Sequence, residues 1–405
     1  MGRSRSRGAR ATRSSKLVSS NESGPTVWIV DPISYSGMAY SDVGQIVALQ
    51  ALGARPTLVG GDSWMLEPRI VPRIAVFRGT HGHGSRFRRG LGYIGSLARL
   101  LVRTGKARPD IVHWQFTELP VADALAMLAI RLLRIPQVYT AHELLPWAAR
   151  PHHRWLFSRI YRLVDALVVH NDAQRAEVIR RFGVDSTKVH VAPLGDYALF
   201  ATPELAQAEA RSRLGLSADA PVALFFGTIR PSKGLEVLLE AWSVAVRGVP
   251  EARLLVVGKP YKGLDVGTTI DLIRRLGIQG SVLGRFEHVS PLDANTYYRA
   301  ADVVVLPYHE IGSSGVLRYA YNSARPVIAT SVGEHGRLVT PGETGHLVPP
   351  RNPRALADAL VAMLGDRAAS RSMGRAAQVY AAENLGWMPP AKVMLSIYED
   401  LRRRD

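Results

Sequence analysis

The chain contains no cysteine, which excludes disulfides and thiolate chemistry and fits a reducing cytoplasm. No apolar run approaches the roughly 18 to 20 residues that a membrane span needs. The basic start leads into Leu17 to Ser23 without an apolar core, so no secretory signal is expected. A Gly-x-Gly-x-x-Gly turn after a strand is missing, which disfavours a dinucleotide-dependent oxidoreductase. No Gly-x4-Gly-Lys-Ser/Thr is present, which disfavours a P-loop NTPase. No two Asp residues stand at spacing two, so the metal bridge on which some sugar-nucleotide enzymes rely is absent. Acids are also missing from two basic stretches, residues 1–20 and 85–109.

What is present is a folded, turn-rich composition: 405 residues, 47% hydrophobic, with 36 glycines and a formal charge of +17. That length exceeds one ordinary core and predicts two domains. Arg3, Arg5, Arg7, Arg10, Arg13 and Lys16 supply part of the charge, in a segment too poor in apolar residues to order itself. Short apolar runs alternate with helical patterns, the signature of parallel sheets with crossover helices. Strands are expected at 26–30, 55–59, 111–113, 137–140, 166–170 and 189–192, and again at 220–226, 253–258, 282–284, 303–307 and 326–329. The fold class is α/β, two doubly wound Rossmann-like domains facing each other, with a ligand cleft at the carboxyl ends of both sheets. The expected boundaries are 1–24 for a disordered basic tail, 25–200 for the first Rossmann-like domain, 201–375 for the second, and 376–405 for C-terminal helices. The stretch 193–216 reads as the hinge.

In residues 85–109, Leu91, Ile94, Leu97, Ala98 and Leu101 fall at helical spacing among seven cations. Such a helix either lies on an anionic membrane or packs on its own sheet with a solvated basic face.

Three elements carry chemistry. In Leu224 to Gly234 a strand ends at Gly227, where backbone can approach a ligand closely, and Arg230 and Lys233 follow at the turn into a helix. Two cations beside free helix N–H groups suit a diphosphate. In Val305 to Leu317 a second strand runs into Glu310 and then Ser314, Gly315 and Val316 at a helix start. Their N–H groups would bind phosphate from the opposite side, unless Ser314 is only a cap, and Glu310 would hydrogen-bond sugar hydroxyls. The third element, Val138 to Trp147, places His142 and Glu143 just past a strand end facing the cleft. Gly37, in the loop Ser34 to Tyr40, would let backbone approach a ligand. His81, His83, His152 and His153 have no carboxylate constellation, so no metal is assigned.

Together these motifs resemble the family-4 retaining glycosyltransferases of the two-Rossmann-domain GT-B type, from about residue 26 onward. Phe225 to Gly234, Pro307-Tyr308 followed by Ser314 to Val316, Pro109 to Trp114, Thr140 to His142, Arg325 to Thr330 and Gly342 to Pro350 carry the resemblance. It implies transfer of a sugar from a nucleotide diphosphate sugar with retention at the anomeric carbon and no obligatory metal or other cofactor. Arg230 and Lys233 would bind the donor diphosphate, and the backbone of Ser314 to Val316 would complete the pocket. His142 would approach the donor sugar and Gly37 would border the acceptor. The acceptor would be a glycan or lipid-linked sugar in cell-surface polysaccharide or glycolipid synthesis. The enzyme would be cytoplasmic, with an anionic membrane surface as a further partner and no nucleic acid. The Glu-x7-Glu pattern common in the family is altered, its second position falling on Tyr319. A catalytically inactive nucleotide-sugar-binding protein and a nucleotide-sugar epimerase on the same fold are the competing readings.

Overall fold

A computed structural model of the chain describes residues 24–33, 39–61, 71–78, 85–146, 149–201, 205–261 and 263–404. The basic segment before residue 24, the loop carrying Gly37, and the positions of His81 and His83 lie outside the described residues. The first sheet holds seven parallel strands: β1 (Thr26–Val30), β2 (Arg55–Gly61), β3 (Arg73–Phe77), β4 (Ile111–Trp114), β5 (Gln137–Thr140), β6 (Ala166–Val169) and β7 (Val189–Val191). Its order is β3-β2-β1-β4-β5-β6-β7. The second sheet holds β8 (Val222–Phe226), β9 (Arg253–Val257), β10 (Val282–Arg285), β11 (Val303–Leu306), β12 (Val327–Thr330) and β13 (Gly345–Val348), in the order β10-β9-β8-β11-β12-β13. In each sheet the strand order reverses beside the first strand, between β1 and β4 and between β8 and β11, and a crevice opens there at the strands' carboxyl ends.

The central strands are apolar on both sides because helices cover both faces. In β1, Val27 and Ile29 pack under the helices α1 (Ala39–Ala51) and Met388–Arg402. Trp28 and Val30 face the other way, into a core shared with α2 (Arg86–Ala107), α3 (Pro120–Leu132), α4 (Pro151–Leu163) and α5 (Asp172–Phe182). The same alternation runs through β8, where Ala223 and Phe225 serve one core and Val222 and Leu224 the other. The sequence reading omits β3 and β13. Both are edge strands, and β3 is only half buried over its first three residues, so neither shows a full apolar run.

The two lobes meet along 192–200. Trp387 donates its indole N–H to the Asp196 carbonyl at 2.9 Å. Its ring fills the space that a Cβ on Gly44 or Gly195 would occupy. The hinge helix Gln207–Arg213 is tied down as well. Arg211 is fully buried, 2.7 Å from Asp302, and donates to the Ala300 carbonyl at 3.0 Å. Helix α2 departs from the simple stripe expected of it: Tyr93, Leu97 and Leu100 enter the core, whereas Leu91 and Ile94 face outward.

Candidate functional site

The switch point of the second sheet is built from the loops after β8 and β11. Arg230 begins a short turn, Pro231–Lys233, that ends at Gly234 in the left-handed conformation, φ 63°. A Cβ at Gly234 would collide with the Pro307 carbonyl oxygen, so only glycine lets the two loops approach this closely. The His309 N–H donates to the Ser232 carbonyl at 2.9 Å, and His309 Nε2 lies 2.7 Å from Glu236. Gly227 abuts Val316 at 3.4 Å from its would-be Cβ. Gly227 and Val316 therefore meet beside the turn that carries Arg230 and Lys233.

Lys233 Nζ sits 3.6 Å from the centre of the Tyr308 ring, a cation–π contact. Burial, and secondarily the charge of Arg230 beside it, push its pKa down to about 7. Arg230 pairs with Glu143 of the opposite lobe at 2.9 Å. Its Nε, together with Ser232 Oγ and His309 Nδ1, is buried with no partner among the described residues.

Ser314 corrects one expectation. Its N–H is spent on the Glu334 carboxylate and its hydroxyl accepts from the Leu317 N–H, so it is a helix cap and offers no free N–H. Glu334 is held by Arg318 through bonds of 2.7 and 3.1 Å, and Arg318 Nε donates to the Leu194 carbonyl at 3.0 Å. This buried pair anchors the start of helix Gly315–Asn322 to the inter-lobe crossing. The N–H groups of Gly315 and Val316, in the helix's first turn, have no acceptor within the helix. Tyr319 is turned away from polar chemistry: its ring stacks on Tyr298 at 4.3 Å and its hydroxyl donates to the Phe200 carbonyl.

Across the cleft, His142 follows β5 and lies flat on Phe116, ring centres 4.9 Å apart. Its Nδ1 is 2.8 Å from Nε2 of His170, the residue after β6, whose Nδ1 is 3.0 Å from the Ala192 carbonyl. Because a carbonyl only accepts, His170 carries its proton on Nδ1 and receives one from His142 Nδ1. Burial lowers both pKa values, so both rings are neutral. His142 Nε2 then holds a lone pair. The Gln115 side-chain oxygen stands 2.9 Å from it, and an NH2 can donate here only if that amide is turned together with Gln45, whose Oε1 accepts from Gln115 Nε2 at 3.1 Å. Asn171 Nδ2 reaches the Gly312 carbonyl at 3.3 Å, and Gln174 Nε2 reaches the His142 carbonyl at 3.3 Å. These contacts bring His142 and the loop of Glu310 to the same cleft. Glu310 itself is exposed and forms no hydrogen bond among the described residues.

The residues the sequence reading missed, Gln115, His170, Arg318 and Glu334, share a weak signal. Gln115 and His170, like His142, come just after a parallel strand ends. Arg318 and Glu334 are a buried charge pair 16 residues apart, which no local spacing reveals.

A consequence follows for pH. Above about pH 7 Lys233 is neutral in this structure, and an anionic ligand on it must recruit a proton. Binding of a nucleoside diphosphate at pH 8 is expected to take up close to one proton, seen as a dependence of the calorimetric heat on buffer ionisation enthalpy. Affinity should fall as pH rises from 7. The same heat in every buffer would contradict a ligand on Lys233.

Residues 220–366 match the family model of glycosyl transferases group 1, and residues 44–195 match that of glycosyltransferase family 4. The chain is 30% identical over 325 residues to a D-inositol 3-phosphate glycosyltransferase of Kribbella flavida, covering 75% of each chain. It is 36% identical over 256 residues to the Kineococcus radiotolerans protein of that name, covering 59% of this chain and 58% of that protein's length. Among solved structures, Anabaena HepE in complex with UDP and glucose superposes with a TM-score of 0.75 at 19% identity, over 93% of this chain and all of that one. With two parallel-sheet lobes opening on one cleft, the chain has the GT-B fold and belongs to the group 1, family 4 glycosyltransferases.

Proposed function

We propose that the protein is a retaining glycosyltransferase that moves a sugar from a nucleotide diphosphate sugar to a glycan or lipid-linked acceptor in cell-surface polysaccharide or glycolipid synthesis. The observation that carries this reading is that Arg230, with its Nε buried and unpartnered, and Lys233 stand on the loop after β8, where Gly227 abuts Val316 in the first turn of the helix after β11. Departure of a diphosphate builds negative charge on its oxygens, and preorganised cations and N–H dipoles stabilise that charge best where water is excluded. UDP in the structure of HepE, a protein of the same fold, supports a nucleotide in such a cleft.

In this reading Arg230 and Lys233 clamp the diphosphate, displacing Glu143 from Arg230, and Gly227 lets the chain approach it. His142, neutral and fixed by His170 and Phe116, borders the donor sugar, and Glu310 on its loop reaches the sugar hydroxyls. Gly37, outside the described residues, is assigned to the acceptor by the resemblance alone. Retention at the anomeric carbon rests on the resemblance alone.

Protein cations already neutralise the diphosphate, so no obligatory metal is proposed. Transfer should therefore keep most of its rate in excess chelator. A complete loss that divalent metal restores would overturn this part of the reading. A thermal-shift screen of the full chain against nucleoside diphosphates and their sugars identifies the donor, since a selective ligand stabilises by mass action; a screen with no stabilising nucleotide would count against the proposal as a whole.

A further inference from the structure

Helices α2, α3 and α4 pack side by side on one face of the first sheet, and their outer surface is unusually apolar. Of the sixteen large hydrophobic residues that are exposed among the described residues, ten lie between Phe87 and Trp155; the second lobe carries only scattered ones. On α2 the outward residues are Phe87, Leu91, Ile94 and Val102. Helix α3 has two stripes. Ala126, Met127 and Ile130 enter the core, while Val121, Leu125, Leu128 and Leu132, spaced four, three and four apart, all face out. Leu132 is 79% exposed and Leu125 64%. Trp155 continues the surface onto α4, also more than half exposed, with Arg159 over its ring at 5.3 Å.

The charges around this surface are mostly cationic, with Glu118 the exposed acid just before α3 and Asp165 paired with Arg131. Arg88, Arg89, Arg103 and Lys106 stand on α2 and Arg154 and Arg159 on α4, and neither helix has an acid. The single acid of α3, Asp123, is buried and bonded to the Tyr93 hydroxyl at 2.7 Å. Beyond Trp155 an open cavity of about 510 Å³ is lined by Arg154, Arg162, Arg180 and Arg181.

An apolar patch of this extent marks a contact surface, and a fringe in which cations far outnumber the acids Glu118 and Glu177 selects an anionic partner. Aliphatic and aromatic side chains at the centre with arginines at the margin match the depth profile of a bilayer interface, acyl chains inside and phosphates outside. No helix among the described residues is long and apolar enough to cross a membrane, so the contact would be interfacial. We infer that the composite outer face of α2, α3 and α4 docks the protein on an anionic lipid bilayer. The helices of a parallel sheet begin at the carboxyl ends of the strands, so Phe87 and Val121 stand at the cleft end of this face. The bilayer surface therefore meets the rim of the cleft. This last consequence rests on the proposed transferase reading and gives it a lipid-borne acceptor; the docking itself does not depend on it.

The test is co-sedimentation of the full chain with vesicles of equal phosphatidylglycerol and phosphatidylcholine, against vesicles of phosphatidylcholine alone, at 0.15 M salt. The full chain should bind the anionic vesicles. L125E/L132E leaves every cation in place, including those before residue 24, and should lower the vesicle partition by about tenfold or more. V361E/V379E, exposed positions of the second lobe, should change it little. Equal binding by L125E/L132E, no binding by the unaltered chain, or an equal loss in V361E/V379E would each overturn the proposal. So would a dimer that L125E/L132E disperses without any vesicle uptake, which would assign the face to a second copy of the chain. Nucleoside diphosphate thermal shifts, run on the same samples, should be identical in all variants; their absence throughout, with vesicle binding intact, would sink the transferase reading and leave the docking face standing.

Discussion

Arg230→Ala and Lys233→Ala are each expected to weaken binding of the donor nucleotide about 10- to 100-fold, the equivalent of roughly 1.5 to 3 kcal/mol for a charge-assisted contact. The two act at one anion and from different settings. Arg230 is already paired with Glu143 at 2.9 Å, whereas Lys233 lies against the Tyr308 ring with its charge destabilised by burial. Their losses should not add fully, because each variant changes the field in which the other works. Glu143→Gln supplies the internal control. It removes the competitor for Arg230 and should raise affinity, with a smaller effect in the Arg230→Ala background, where Glu143 still acts on Lys233. Folding should barely change in any of these, since Arg230 and Glu143 meet at the cleft surface. Calorimetric titration reads the affinities directly, and unaltered binding in both alanine variants would remove the diphosphate from this turn.

Glu334→Ala should be the most destabilising single change near the site, by about 3 to 5 kcal/mol, because it strands the Arg318 guanidinium in the interior. Both side chains are almost wholly buried, and the carboxylate also receives the Ser314 N–H. Loss of that anchor frees the first turn of helix Gly315–Asn322, so donor affinity should drop together with stability. The pH dependence has a definite sign. Burial alone would raise the Glu334 pKa, but the Arg318 charge and hydrogen bonds outweigh it and hold the carboxyl below its ordinary 4.5. The pair therefore contributes its full stability above that ordinary value and loses it as pH falls through the lower, folded-state one. Chemical denaturation at pH 7 measures the effect. A midpoint within experimental error of the unaltered chain would mean that the pair is not holding this helix.

Much of the frame was legible because it rests on local patterns. The apolar runs at Val222 to Phe226 and Val303 to Leu306 read as central parallel strands, and Gly227, Arg230 and Lys233 after the first of them stand at a strand end. Edge strands escaped for the converse reason: β3 begins with Arg73 after Pro72 and β13 begins with Gly345, so each trades apolar content for a side that no neighbour covers. The site itself was half legible. Arg230, Lys233, Gly315, Val316 and His142 follow from position along the chain. What holds them does not, because the partners are distant in sequence: His170 is 28 residues from His142 and Glu143 is 87 from Arg230. Ser314 was misjudged on the same ground, since its N–H is claimed by a carboxylate 20 residues on. The altered carboxylate pattern also takes on a physical meaning. Tyr319 occupies an aromatic stack with Tyr298, while the carboxylate of Glu334 serves the helix start instead of a ligand.

The central claim is that this cleft transfers a sugar from a nucleotide diphosphate donor with its anomeric configuration kept. Proton NMR of the full chain with the donor found by thermal shift, an acceptor-bearing anionic vesicle and excess chelator reads the claim in one experiment. The account predicts release of the nucleoside diphosphate and a product whose anomeric proton shows the configuration of the donor, both lost in Lys233→Ala. An inverted product, or no diphosphate release from any donor that binds, would contradict it.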